Sequence, residues 1–172
     1  LFYKGFIPQS INIGLVGDFA PWVGALIVDV MQPILLVTDP GKEEEAVTRL
    51  SRVGFDHVQG YLQGGFAAWL SAGKEADVVD RIAADQFAKE VKIGEDKVID
   101  IRKDTEYAAK HVEEAYNRPL AFINEWIKDI NPEEHFYIHC AGGYRSMIAA
   151  SILQARGYRN FTEVEGGFTA IS

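Results

Sequence analysis

The stretch FYIHCAGGYRSMIAASILQARG, residues 136–157, holds the chain's only cysteine, Cys140, between two apolar segments. Residues 136–140 form a short apolar run of strand length and read as a buried strand. Beyond the turn, Met147, Ala150 and Leu153 fall on one helical face, and Gly157 suits the C′ position that ends a helix. Gly142, Gly143 and Arg145 lie between, with the helix starting near Arg145–Ser146. In an α/β sheet, the end of such a strand is where ligands bind. The two glycines allow backbone angles other residues avoid. The amides of residues 141–146 then converge with the helix N-terminus into a nest for an anion. A thiol on the rim of that nest is favoured as thiolate, and Arg145 adds a fixed charge and a bidentate fork. The loop predicts Cys140 as nucleophile, with Ala141, Gly142, Gly143, Tyr144, Arg145 and Ser146 around an anionic substrate.

Working outward, the chain repeats itself. Residues 34–69 parallel residues 136–171, with Gly54 opposite Gly157 and Gly65-Phe66 opposite Gly167-Phe168. "GFIPQSINIGL" (5–15) parallels "KHVEEAYNRPL" (110–120). The offset stays near ~100 residues, the period of a tandem domain and not of a short solenoid unit. Arg81 precedes His111 by 30 residues, whereas 5 residues precede Phe6. By that spacing the first copy lacks roughly 25 residues at its start. The first copy carries "TDPGKEEEA" where the second has its cysteine loop. Glu43, Glu44 and Glu45 suit a helix start and repel anions, so this copy reads as a structural or interaction domain.

Strands are expected at 34–38, 57–62, 97–101, 136–140 and 161–165. Helices are expected at 43–54, 67–73, 105–112, 119–130 and 146–157, with a last one after Gly167. The alternation implies an α/β fold with a small parallel sheet flanked by helices in each copy. The boundary falls in the polar segment 71–80, giving domains 1–75 and 76–172.

Composition sets limits. The 172 residues carry 25 acidic and 17 basic side chains, a net charge of −8 with no basic cluster, which argues against nucleic acid. No apolar run is long enough for a membrane span. A single cysteine cannot form an internal disulfide, which points to a reducing cytoplasm. His135 and His139 stand about 13 Å apart if extended, too far to share a metal, and no metal site is expected. His139 faces away from Cys140, because strand neighbours alternate. Trp22 and Tyr144 are candidates to line a substrate entrance. A homo-oligomer stays open.

Two chemistries use such a loop. A cysteine can attack phosphorus, or it can take a sulfane sulfur and hold it as a persulfide. Four residues separate Cys140 from Arg145. A cradle for a tetrahedral phosphoryl group needs one more, and the shorter ring fits a single sulfur.

The segment Cys140–Arg145 resembles the active loop of the rhodanese family of sulfurtransferases. Asp100-Ile101-Arg102 is similar to that family's early D-x-R motif. His111-Val112 and Asn117-x-Pro119 stand where its "GHIPGAINIP" motif would be, and "EGGF" (165–168) resembles its closing turn. Lys110 replaces the usual glycine. The resemblance implies tandem rhodanese-like domains, the first truncated and without a cysteine. It implies a persulfide on Cys140, with Asp100, Arg102 and His111 in structural roles near the site. The donor would be thiosulfate or a glutathione- or coenzyme-type persulfide, and the acceptor an outside thiol or cyanide. "INIGLVGDFAPWVGALI", "EEEAVTRLSRVGFDHVQGYLQGG" and "HCAGGYRSMIAASILQARGY" together look like the C-terminal part of bacterial fusions. In these, a metallo-β-lactamase-fold persulfide dioxygenase precedes two rhodanese domains. Its non-haem iron would belong to that preceding domain, and no cofactor is expected in this chain. A cysteine phosphatase or arsenate reductase, and a non-catalytic docking module, are the alternatives.

Overall fold

A computed structural model describes residues 2–172 and divides into two compact units. The smaller holds Phe6–Pro8 and Ile13–Asp77. The larger holds Val78–Ser172 together with Gln9–Asn12 and the chain up to Gly5. A cut at 75/76 therefore misses part of the N-terminal segment, which serves the larger unit. There the Val79 amide donates to the Tyr3 carbonyl, the Asn12 amide donates to Ser151 Oγ at 2.9 Å, and Arg81 lies over the Tyr3 ring.

In the smaller unit the order is α1 (Phe19–Leu26), β1 (Ile34–Leu36), α2 (Glu43–Ser51), β2 (Val58–Tyr61) and α3 (Gly65–Ser71). β1 and β2 pair in parallel. Ile34 and Leu36 pack on a core of Phe19, Val23, Leu50 and Phe55, while Leu35 between them is 77% exposed. That alternation is the period of two expected of a strand with one covered face. All three carboxylates of "EEE" fall in the first turn of α2, and Glu45 pairs with Lys42 and Arg49.

The larger unit runs β3 (Arg81–Ile82), α4 (Ala84–Glu90), β4 (Lys97–Asp100), α5 (Asp104–Ala109), β5 (Tyr116–Asn117), α6 (Ile123–Trp126), β6 (Phe136–His139), α7 (Tyr144–Ala155), β7 (Phe161–Val164) and α8 (Gly167–Ile171). Its five strands lie in the order β3-β7-β6-β4-β5, and every pairing is parallel. β6 is central, so Phe136, Ile138 and His139 are buried, as a strand covered on both faces requires. Ile82, Phe87, Val98, Ala115 and Val164 form one core cluster. Eight of the twelve residues of α7 are buried, which explains why its apolar positions run past a single stripe. Gly157, with φ +89°, ends that helix as expected. The helix expected at 119–130 is broken into a short α-turn between two 3-10 turns, yet Leu120, Ile123, Trp126, Ile127 and Ile130 all reach the core. This parallel topology gathers the C-terminal ends of β4, β5, β6 and β7 on one edge, where Cys140 follows β6 directly.

Candidate active site

Cys140 is 1% exposed, and its loop is held from outside and from within. Phe168 and Thr169, at the start of α8, donate their amides to the carbonyls of Cys140 and Ala141, at 2.7 and 3.0 Å. With those carbonyls engaged outward, the Gly143 amide turns inward and donates to Cys140 Sγ at 3.1 Å. Gly143 has φ +100° and forms the N-cap of α7, so the helix begins one residue earlier than the sequence suggests, at Tyr144. Gly142 does not need its freedom: its φ is not positive, and a Cβ there would meet nothing. One left-handed residue is enough to close this turn.

Gly167 is the tightest point. A Cβ on it would collide with the Cys140 and Ala141 carbonyls, and its φ is +57°. Gly167→Ala is therefore expected to cost ~3 kcal/mol, from left-handed strain and the collision together. Urea denaturation would show this as a lowered midpoint at unchanged slope. The smaller unit repeats the arrangement: Gly65, with φ +58°, packs against the Thr38 carbonyl, which places a threonine where the larger unit has Cys140.

Beneath the loop, Asp100 and Arg102 are both buried and joined by a two-pronged ion pair, with Arg102 Nη2 2.7 Å from Asp100 Oδ2. Arg102 also donates to the Lys110 carbonyl and stacks its guanidinium 3.9 Å from the centre of the Phe168 ring. Asn117 donates to the carbonyls of Asp100 and Arg102, locking β5 to the end of β4. His111 stands further out, exposed, bonded through Nδ1 to the Tyr107 carbonyl and stacked on the Tyr107 ring. His139 is buried with Nδ1 donating to the Cys140 carbonyl, and its Nε2 lies 3.9 Å from Asp100 Oδ2. Burial lowers the pKa of His139 more than Asp100 raises it, which favours the neutral ring.

Two acidic partners escaped the sequence reading. Arg145 grips Glu106 of α5 with both nitrogens, at 2.6 and 2.8 Å. That hydrogen bond, ahead of any other cause, pulls the Glu106 carboxyl down to about 2. Its native value lies below its unfolded one, so the pair contributes fully above pH about 4.5 and is lost as pH falls through about 2. Glu106 is a third exposed, so the contribution is at most about 1 kcal/mol. Denaturation of Glu106→Gln should show a deficit of that size at pH 7 and none near pH 2. The second partner is Glu163 of β7, fully buried, which accepts from Ser146 Oγ and from Arg81 Nε. Ser146 is thus turned into the protein. Gly142 and Tyr144 are the exposed members of the loop. No cluster of metal-ligating side chains occurs among the described residues.

These contacts define an α/β domain with a buried cysteine directly after the central strand of its parallel sheet and a backbone amide on the sulfur. The chain belongs to the rhodanese-like domain family, whose model matches residues 83–172. It is 29% identical over 128 residues to "Protein HIGH ARSENIC CONTENT 1, mitochondrial" of Arabidopsis thaliana, covering 67% of this chain and 72% of that protein. It is 25% identical over 97 residues to "Putative sulfur carrier protein YrkF" of Bacillus subtilis, covering 56% of this chain and 52% of that one. It therefore spans about half the length of the Bacillus relative. A rhodanese-like domain protein of Staphylococcus aureus superposes with a TM-score of 0.50 at 30% identity, covering 55% of this chain and 92% of its own. Family and relatives support sulfur transfer as the general activity. No helix among the described residues is long and apolar enough to cross a membrane.

Proposed function

We propose that the larger unit is a sulfurtransferase that carries a sulfane sulfur on Cys140. The observation that carries this reading is the Gly143 amide on Cys140 Sγ, in a loop with four residues between Cys140 and Arg145. Cys140 as thiolate attacks the outer sulfur of thiosulfate. A new S–S bond forms, the old one breaks, and sulfite leaves with the bonding electrons. A low-molecular-weight persulfide reacts alike and releases its thiol. The loop amides of residues 141–146 hold the terminal sulfur and the exposed Tyr144 lines the donor's approach, while Arg145, its fork held by Glu106, acts through its charge and not as a free clamp. An external thiol or cyanide then takes the sulfur and returns the thiolate, since the chain has no second cysteine.

Thr38, in the position of Cys140, supports reading the smaller unit as a second rhodanese-like copy without a nucleophile. It would serve as a structural or docking domain, and on the sequence resemblance the pair would follow a persulfide-oxidising domain. Thiosulfate-dependent formation of thiocyanate from cyanide tests the sulfur-transfer reading. A chain that releases neither sulfite nor thiocyanate with thiosulfate, and no thiol from glutathione persulfide, would refute it. The name of the Arabidopsis relative favours a second reading, reduction of arsenate with a thiol reductant, for which arsenite formation is the assay.

A further inference from the structure

One buried acid beside the site has no part in the chemistry above. Glu163 is fully buried, and so is Ser146. Ser146 Oγ lies 2.5 Å from Glu163 Oε1 and 3.5 Å from Cys140 Sγ. The three groups form a line from β7 through α7 to the end of β6. Glu163 Oε2 accepts from Arg81 Nε of β3 at 2.7 Å, and Arg81 in turn reaches Glu165 at 3.1 Å.

We propose that Glu163 is a positioning residue for Cys140, receiving through Ser146 the proton that the thiol gives up. The proposal rests on reading Cys140 as the nucleophile. The S–H bond breaks and its proton passes to Ser146 Oγ, while the Ser146 hydroxyl proton passes to Glu163 Oε1. No electron is exchanged, and one negative charge moves from carboxylate to sulfur. Afterwards Glu163 donates to Ser146, and Ser146 donates to the thiolate beside the Gly143 amide. In the reverse arrangement Ser146 spends its proton on Glu163 and offers sulfur only a lone pair.

The groups facing Glu163 set the balance. Arg81 favours the carboxylate, as does the Ser146 hydroxyl, while burial and Glu165 favour the acid, with burial the largest cause and the net direction upward. Thiol with carboxylate and thiolate with acid have the same net charge. Between the two titration steps of such a pair, the thiolate fraction does not change with pH.

The test is the rate of Cys140 alkylation by iodoacetamide against pH, followed by intact mass with no sulfur donor present. The native chain should show two steps separated by at least ~1 pH unit, with a plateau between. Glu163→Gln keeps the shape but takes no proton, and Ser146→Ala cuts the line; each should show a single step. Circular dichroism confirms that the variants are folded. A single step in the native chain, or two steps in a folded Glu163→Gln, would overturn the proposal. A structural role alone would leave one step throughout. Alkylation needs no sulfane sulfur, so a plateau without any persulfide adduct refutes the sulfur-transfer reading alone. A persulfide adduct with a single-step profile refutes the relay alone.

Discussion

Under the proposed function, replacing Cys140 by serine should lower the rate of sulfur transfer from thiosulfate to cyanide by a factor on the order of 10⁴ or more, the scale of losing a nucleophile. Serine fits the space, because Cys140 is fully enclosed and its oxygen is smaller than sulfur. The Gly143 amide still finds an acceptor. What is lost is chemical: a hydroxyl is not ionised near neutral pH, and an oxygen–sulfur bond does not return its sulfur to a thiol as a persulfide does. The substitution should leave the denaturation midpoint nearly unchanged, which separates loss of chemistry from loss of fold. A Cys140→Ser chain that kept a tenth of the native rate would mean that the sulfur passes elsewhere.

Arg102→Ala should be the most damaging change to stability, at ~3–5 kcal/mol. It leaves the buried Asp100 carboxyl without its two-pronged partner, frees the Lys110 carbonyl, and empties the face of the Phe168 ring. For a unit near 100 residues this is a fall in melting temperature of roughly 15–30 °C. Replacing both members, as Asp100→Leu with Arg102→Met, should recover much of the loss, because no charge is then buried alone. Calorimetry of the single and double variants checks this. Equal losses in both would show that the pair's value lies in backbone bonds and not in its charges.

Much of this architecture was legible in the sequence where one residue decides a local geometry. Gly157 ends α7, Gly166-Gly167 marks the turn into α8, and apolar runs mark β4 and β6. The position of Cys140 at a strand end follows from the same pattern. The edge strands β3 and β5 were not legible: each has two residues, too few for any periodicity to show. Gly142 misleads because glycine next to glycine reads as a demanding turn, although only Gly143 takes the left-handed angle. The fate of Arg145 depends on Glu106, 39 residues away, and that of Ser146 on Glu163, 17 away. Charge pairs across such gaps leave no local trace. The one available signal was Glu163 itself, an acid inside the strand Phe161–Val164, where a buried charge needs partners.

Whether Cys140 holds a sulfane sulfur is decided by incubating the chain with thiosulfate or glutathione persulfide and recording its intact mass. The expected result is a gain of one sulfur atom, about 32 Da, located on the Cys140 peptide and removed by cyanide. No gain with either donor, from a folded chain whose Cys140 still reacts with iodoacetamide, would contradict it.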